Sequence, residues 1–169
     1  MTIGSTGKPK GCIIEHQSAV NLVLSESSIF PLTDKDIIFQ NFSLAFDASI
    51  ETIWLAFFNG ATLYVPTEDM MHSGAQLTQY ITNANVTVLS CVPTMLTMLS
   101  TTACENMNSN DHLLPTVKTL IVGGEACPKD VIEKWSLNGK RRMVNTYGPT
   151  EATGMSLTIY YNGPRTYGF

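Results

Sequence analysis

The 169-residue sequence predicts an α/β fold, a mainly parallel sheet flanked by helices. Three observations predict it. Short β-branched or apolar runs alternate with helical stretches at short intervals, the pattern of βαβ units covered on both faces. A hydrophobic content of 44% with only 14% charged residues supplies a real core. Glycine- and turn-rich segments follow several strands, at 4–11, after Ser90, at 123–126 and at 145–151. Right-handed crossovers place such loops along one rim, at the C-terminal ends of the strands.

The elements follow in order. Cys12, Ile13 and Ile14 read as a short strand. Residues 16–30 form an amphipathic helix with Val20, Val23, Leu24 and 27–29 apolar or small. Pro31 and Asp34 end it, and Ile37, Ile38 and Phe39 make a buried strand. Residues 46–59 form a helix whose buried face is read as Phe46, Ile50, Ile53, Trp54, Phe57 and Phe58, and Gly60 stops it. A strand at 61–66 and a loop at 67–73 follow, the methionines of that loop being packing residues. Residues 74–83 are helical with Leu77, Tyr80 and Ile81 inward, and 86–92 are a β-branched strand. Pro93 starts a short helix over 94–100, proline being tolerated in a first turn. Residues 101–114 are polar, with an exposed loop at 105–111. A strand at 116–122, a helix at 128–135, a strand at 143–146 and a strand at 155–160 complete the series. The last residues carry no assignment, and the basic run 140–142 reads as a solvated edge.

The net charge of −4 gives no reason to expect nucleic acid as a partner. The apolar runs are too short to cross a bilayer. No signal-peptide pattern opens the sequence, so the expected location is the cytoplasm. Cys12, Cys91, Cys104 and Cys127 show no C-x-x-C spacing and read as reduced thiols.

Two segments carry chemistry. Residues 4–11, GSTGKPKG, hold three glycines, two hydroxyls and two lysines, a loop whose N–H groups can approach an anion. It is not a Walker A loop, because Thr2 stands where the first glycine belongs and Pro9 follows Lys8. For such composition alone a flexible surface loop is the commoner case. Residues 145–153, NTYGPTEAT, crowd a ring, two hydroxyls and a carboxylate around a Gly-Pro turn. A ring can stack on a base, and a lone carboxylate beside phosphates can hold Mg²⁺.

Together these two segments resemble the adenylate-forming superfamily, and within it the adenylation domains of nonribosomal peptide synthetases. GSTGKPKG is similar to the family's phosphate loop, NTYGPTE to its N-x-Y-G-P-T-E, and Phe46-Asp47-Ala48-Ser49 to its F-D-x-S. Ile3 departs from the small hydroxyl residue usual before the first glycine. The resemblance covers nearly all of 1–169 but only the core of the family's large N-terminal lobe. The chain is therefore expected to be a partial AMP-binding domain, a fragment inactive alone.

The resemblance implies ATP and Mg²⁺. Ser5, Thr6, Gly7 and Lys10 would embrace the β- and γ-phosphates, with Thr6, Lys10 and Glu151 the catalytic set. Gly124, Glu125 and Ala126 would border the adenine, Tyr147 stack on it and Asn145 lie near it. Thr150 would meet the α-phosphate and Glu151 hold the metal. The substrate side would be Asp47, Ala48, Glu51, Ser90, Ile121, Gly123, Thr146, Gly154 and Met155. It also implies a carrier-protein domain whose phosphopantetheine thiol receives the activated amino acid.

Asp47 and Glu51 are four apart, hence neighbours on a helix. Periodicity alone favours a solvated acidic first turn suited to the helix dipole. The resemblance reverses that reading: the Asp of F-D-x-S binds the α-ammonium, and the residue four later lines the side-chain pocket. The other pocket positions are small or apolar, so a buried Glu51 favours a substrate with its own cation. The expected substrate is a basic amino acid, lysine or ornithine, and the pocket resembles those of lysine-activating domains. An acyl-CoA ligase-like adenylate-former and a nucleotide-binding pseudoenzyme fragment are the alternatives.

Overall fold

The computed structural model describes residues 11–103, 113–161 and 166–167. Among them the chain runs α1 (His16–Ile29), β1 (Ile37–Phe39), α2 (Asp47–Phe58), β2 (Thr62–Tyr64), α3 (Glu68–Met71), α4 (Leu77–Asn83) and β3 (Val88–Cys91). It continues with α5 (Pro93–Ala103), β4 (Thr119–Gly123), α6 (Lys129–Trp135), β5 (Arg142–Tyr147), β6 (Leu157–Tyr161) and β7 (Thr166–Tyr167). The strands form one sheet in the order β2-β1-β3-β4-β5-β6-β7. β1 to β5 pair with one another in parallel. β6 and β7 add antiparallel pairs at one side.

Alternation along the strands feeds two apolar layers, as a parallel sheet buried on both faces requires. Ile38, Val88, Ile121 and Val144 join Leu55 and Ala56 of α2 on one face. Phe39, Leu89, Leu120, Val122 and Met143 join Leu77 and Ile81 of α4, Leu96 and Leu99 of α5, and Trp135 beyond α6 residue Val131 on the other. The sequence-based fold class is thus the observed one.

Four local readings need correction. The 12–14 run is not a strand, and Ile13 is exposed. Three apolar residues form no strand without an edge to pair with. The loop at 67–73 contains α3, whose first turn Thr67 caps by accepting from the Met70 N–H at 3.3 Å. The third correction concerns α2. Its buried residues are Ser49, Glu51, Thr52, Leu55 and Ala56, while Phe46, Ile50, Trp54, Phe57 and Phe58 are exposed and Ile53 is half-buried. Small residues let the helix approach the sheet closely. The hydroxyls cost little there, because Ser49 donates to the Phe46 carbonyl and Thr52 to that of Ala48, both at 2.7 Å.

The fourth correction is Arg141, which is no solvated edge residue: it is 3% exposed. Its Nε donates to the Val117 carbonyl at 2.9 Å, and its Nη2 to the carbonyls of Leu113 and Leu114. The guanidinium also lies over the Trp135 ring, 5.7 Å from its centroid. Burial lowers its pKa to about 10, so it stays charged at neutral pH. One planar fork thus satisfies the carbonyls of the turn entering β4, where Leu114 is left-handed with φ 49°. Replacing it with Met orphans several buried carbonyls. Arg141→Met should lower stability by about 3 kcal/mol, and Arg141→Lys should recover only part of it, in the midpoint of chemical denaturation.

Candidate functional site

The C-terminal ends of β3, β4 and β5 lie side by side. Ser90 pairs with Ile121, Val122 with Asn145 and Gly123 with Thr146. The rim they form faces the start of α2. Between them opens a cavity of about 380 Å³. Of the predicted substrate-side residues, Asp47, Ala48, Glu51, Ser90, Gly123, Thr146, Gly154 and Met155 line it. Ile121 does not, being in the apolar layer beneath with Val88 and Val144. Gly124 and Glu125 line the same space.

The remaining predicted residues are placed around this cavity. Ala126 continues the exposed loop after β4. Asn145 and Tyr147 lie on β5, and the Tyr147 ring is 67% exposed, open for stacking. Thr150 and Glu151 form the 3-10 turn after β5, with Glu151 exposed. Ser5, Thr6, Gly7 and Lys10 lie outside the described residues. Phe42, Phe46, Val92 and Gly148 also line the cavity, and no sequence motif had singled out Phe42 or Val92 for it.

Asp47 ties the helix to the turn. Its Oδ1 accepts from the Ala48 N–H at 2.9 Å, and its Oδ2 accepts from the Thr150 hydroxyl at 2.7 Å. Two motifs 103 positions apart are therefore in direct contact. Glycines make this closeness possible. A Cβ on Gly123 would stand 2.5 Å from Oγ1 of Thr146, and one on Gly148 would overlap the Gly154 carbonyl. At the next loop, Glu125 accepts from the N–H and hydroxyl of Thr94 at 3.4 and 3.3 Å.

Glu51 is a buried lining residue of the cavity, and it does not stand alone. Glu26 of α1, which no motif marked, is 0% exposed and faces it. Among the described residues no N–H or O–H donates to either oxygen of Glu26. Burial, and then the charge of Glu51, raises the Glu26 carboxyl to about 9. Burial, and then Asp47, raises that of Glu51 to about 7, while a hydrogen bond from Glu26 works in the opposite direction. The two carboxyls therefore titrate as one pair, and burial together with their mutual charge favours a proton held between them at neutral pH. A signal existed in the sequence: Glu26 falls in register with Val23 and Phe30, both buried.

The model of the AMP-binding enzyme family matches residues 2–168. The delta-poly-L-ornithine synthetase of Acinetobacter baumannii (strain AB307-0294) is 37% identical over 163 residues, 96% of this chain and 11% of that protein. Bacitracin synthase 3 of Bacillus licheniformis is 34% identical over 162 residues, 96% of this chain and 2% of that protein. The crystal structure of the Vibrio cholerae adenylation domain AlmE with glycyl-adenosine-5′-phosphate superposes with a TM-score of 0.82 at 28% identity, covering 95% of this chain and 29% of that one. The chain belongs to the AMP-binding enzyme family of adenylate-forming ligases, among the adenylation domains of nonribosomal peptide synthetases. It spans about a ninth of the ornithine synthetase and a smaller part of the bacitracin synthase.

The buried acids make a stability prediction. In the unfolded chain Glu26 ionises above about 4.5, whereas in the fold it keeps its proton to about 9. The folded state binds more protons between these values, so this group's contribution falls as pH rises through that window. Glu26→Gln removes the titration. The variant should match the parent below about pH 4.5 and gain up to about 3 kcal/mol by pH 7, in denaturation midpoints taken across that range.

Proposed function

We propose that this chain is part of an adenylation domain that activates an α-amino acid with a cationic side chain. The observation that carries the reading is one cavity lined by two carboxylates, the half-buried Asp47 and the buried Glu51. Asp47 is fixed by two hydrogen bonds and suits an α-ammonium. Glu51 suits a second ammonium at the end of the side chain, because a buried carboxylate without a cation is costly. The 37% identity to a protein named as a delta-poly-L-ornithine synthetase supports a diamino acid.

The reaction joins a carboxylate oxygen of the amino acid to the α-phosphorus of ATP. The bond from that phosphorus to the β-phosphate bridge breaks, giving aminoacyl-AMP and pyrophosphate. Tyr147 stacks on the adenine, with Gly124, Glu125, Ala126 and Asn145 about it. The phosphates meet Ser5, Thr6, Gly7, Lys10 and Thr150. Glu151 fits Mg²⁺, which takes one or two carboxylate oxygens and completes its shell with phosphate oxygens and water. Bound there, Mg²⁺ would supply neutralisation of the charge that builds on the phosphates. The protein's own part is to hold the carboxylate and the α-phosphorus in line and keep water from the pocket. A carrier-domain phosphopantetheine thiol of a longer synthetase then takes the aminoacyl group. No helix among the described residues is long and apolar enough to cross a membrane.

ATP–pyrophosphate exchange by the full-length protein tests the reading, with the standard amino acids, ornithine and diaminobutyrate as substrates. Lysine or ornithine should lead the panel. Asp47→Ala should cut amino-acid-dependent exchange by about 100-fold or more. Glu51→Gln should cut lysine and ornithine exchange by a similar factor while leaving slow exchange with a neutral isostere such as norleucine. Exchange with neutral amino acids alone would remove the ion-pair pocket and keep the adenylation reading. An Asp47→Ala protein still active on an acyl substrate would instead point to an acyl ligase.

A further inference from the structure

α1 presents Ala19, Leu22, Val23 and Glu26 at three- and four-residue spacing along one face. The first three line a second cavity of about 330 Å³, on the α1 side of Glu51 and Asp47, which also line it. Glu26 lies deeper on the same face, wholly buried, with neither oxygen met by a donor among the described residues.

The charged groups that act on this pair are each other and Asp47, one turn earlier on α2. Glu15 and His16, both exposed, line the second cavity from the start of α1, and Glu125 lines the first. Arg142 of β5 donates to the Ile29 carbonyl at the end of α1, at 3.3 Å. The strands beneath contribute the apolar Ile38, Val88, Ile121 and Val144. With one proton between Glu26 and Glu51, the three acids carry two negative charges. A diamino acid brings two ammonium groups, one for Asp47 and one for the pair.

We propose that Glu26 is a positioning residue for substrate choice: its carboxyl O–H donates to Glu51 and holds that carboxylate in the pocket for the side-chain ammonium of a diamino acid. This rests on the pocket being the α-amino-acid site proposed above. Glu26 touches no substrate atom and acts through Glu51. Its proton lets two carboxyls share one buried site, and the hydrogen bond favours the ionised form of Glu51 that the ammonium needs. A substrate cation then draws off the proton still present on a fraction of Glu51.

The test is the pH dependence of KM for lysine and ornithine in pyrophosphate exchange by the full-length protein, from about pH 6 to about pH 9. Glu26→Met keeps the bulk and removes the donor. Its KM at pH 7 should rise roughly tenfold, with kcat little changed and the midpoint of 1/KM about one pH unit more alkaline. Glu26→Gln should restore the parental profile, because an amide N–H donates in place of the O–H. A Glu26→Met profile identical to the parent's, in a protein that prefers diamino acids, would overturn the role of Glu26 alone. A parent protein that takes only neutral amino acids would overturn the substrate reading and this proposal together. If Glu26→Met does not fold, calorimetry of lysine binding to the parent at pH 7, in buffers of different ionisation enthalpy, decides the matter. Proton release on binding should be larger at pH 6 than at pH 8, because burial raises the Glu51 carboxyl and the ammonium favours its ionised form. Release that does not change with pH would overturn the shared-proton pair.

Discussion

The parallel pairing of β3, β4 and β5 is the constraint from which the site follows. Once Leu89 lies beside Leu120 and Leu120 beside Met143, the strand ends cannot be placed independently. Ser90, Gly123 and Thr146 arrive at one rim because the register brings them there. α2 begins at that rim, and the Thr150 hydroxyl ties it to the turn after β5. Each tie is worth little alone, about 1 kcal/mol for a hydrogen bond. Together they fix side chains from four segments around a space of about 380 Å³.

The small buried face of α2 has a consequence beyond packing. Large side chains there would hold the helix off the sheet. Ser49, Thr52 and Ala56 bring it close, and so carry Glu51 into a buried position beside α1. A carboxyl in that position would ordinarily be replaced, since an apolar residue of similar size fits the same space without desolvation. Two such carboxyls facing each other oppose the fold more strongly. Buried groups that cost stability belong to function more often than to packing, because a site must hold what its ligand will neutralise. The same fold therefore contains both an argument for stability and an exception to it.

Much of this was legible in the sequence, for physical reasons that can be named. The strands around Ile38, Leu89, Leu120 and Val144 were readable because a strand buried on both faces must be apolar throughout. The rim loops were readable because Gly-Pro and Gly-Gly turns have few other uses. The orientation of α2 was not readable. Its strongest apolar stripe, from Phe46 through Trp54 to Phe58, points away from the sheet, and periodicity ranks stripes by hydrophobicity rather than by closeness of fit. Arg141 was misread for a related reason. Composition treats a basic triplet as solvated, yet a guanidinium is suited to a turn that leaves several carbonyls bare. Glu26 escaped because it carries no motif. Its position three residues after Val23 and four before Phe30 held the signal, but a lone acid in a weak stripe looks like an interruption of it.

Arg141 and the Glu26–Glu51 pair make a useful contrast, because both put charge inside the protein. Arg141 sits before β5, at the end of the sheet away from the rim, and its donors meet carbonyls and a ring. Its charge is answered within the chain, so nothing further is needed there. The acids lie on the helices that reach toward the rim, and the described chain offers them no cation. A buried charge that the protein satisfies is architecture, whereas one that it leaves open calls for a ligand of opposite sign. By that criterion the sheet's two ends differ in kind: one answers its buried charge within the chain, and the other holds two buried carboxyls with no cation against them among the described residues.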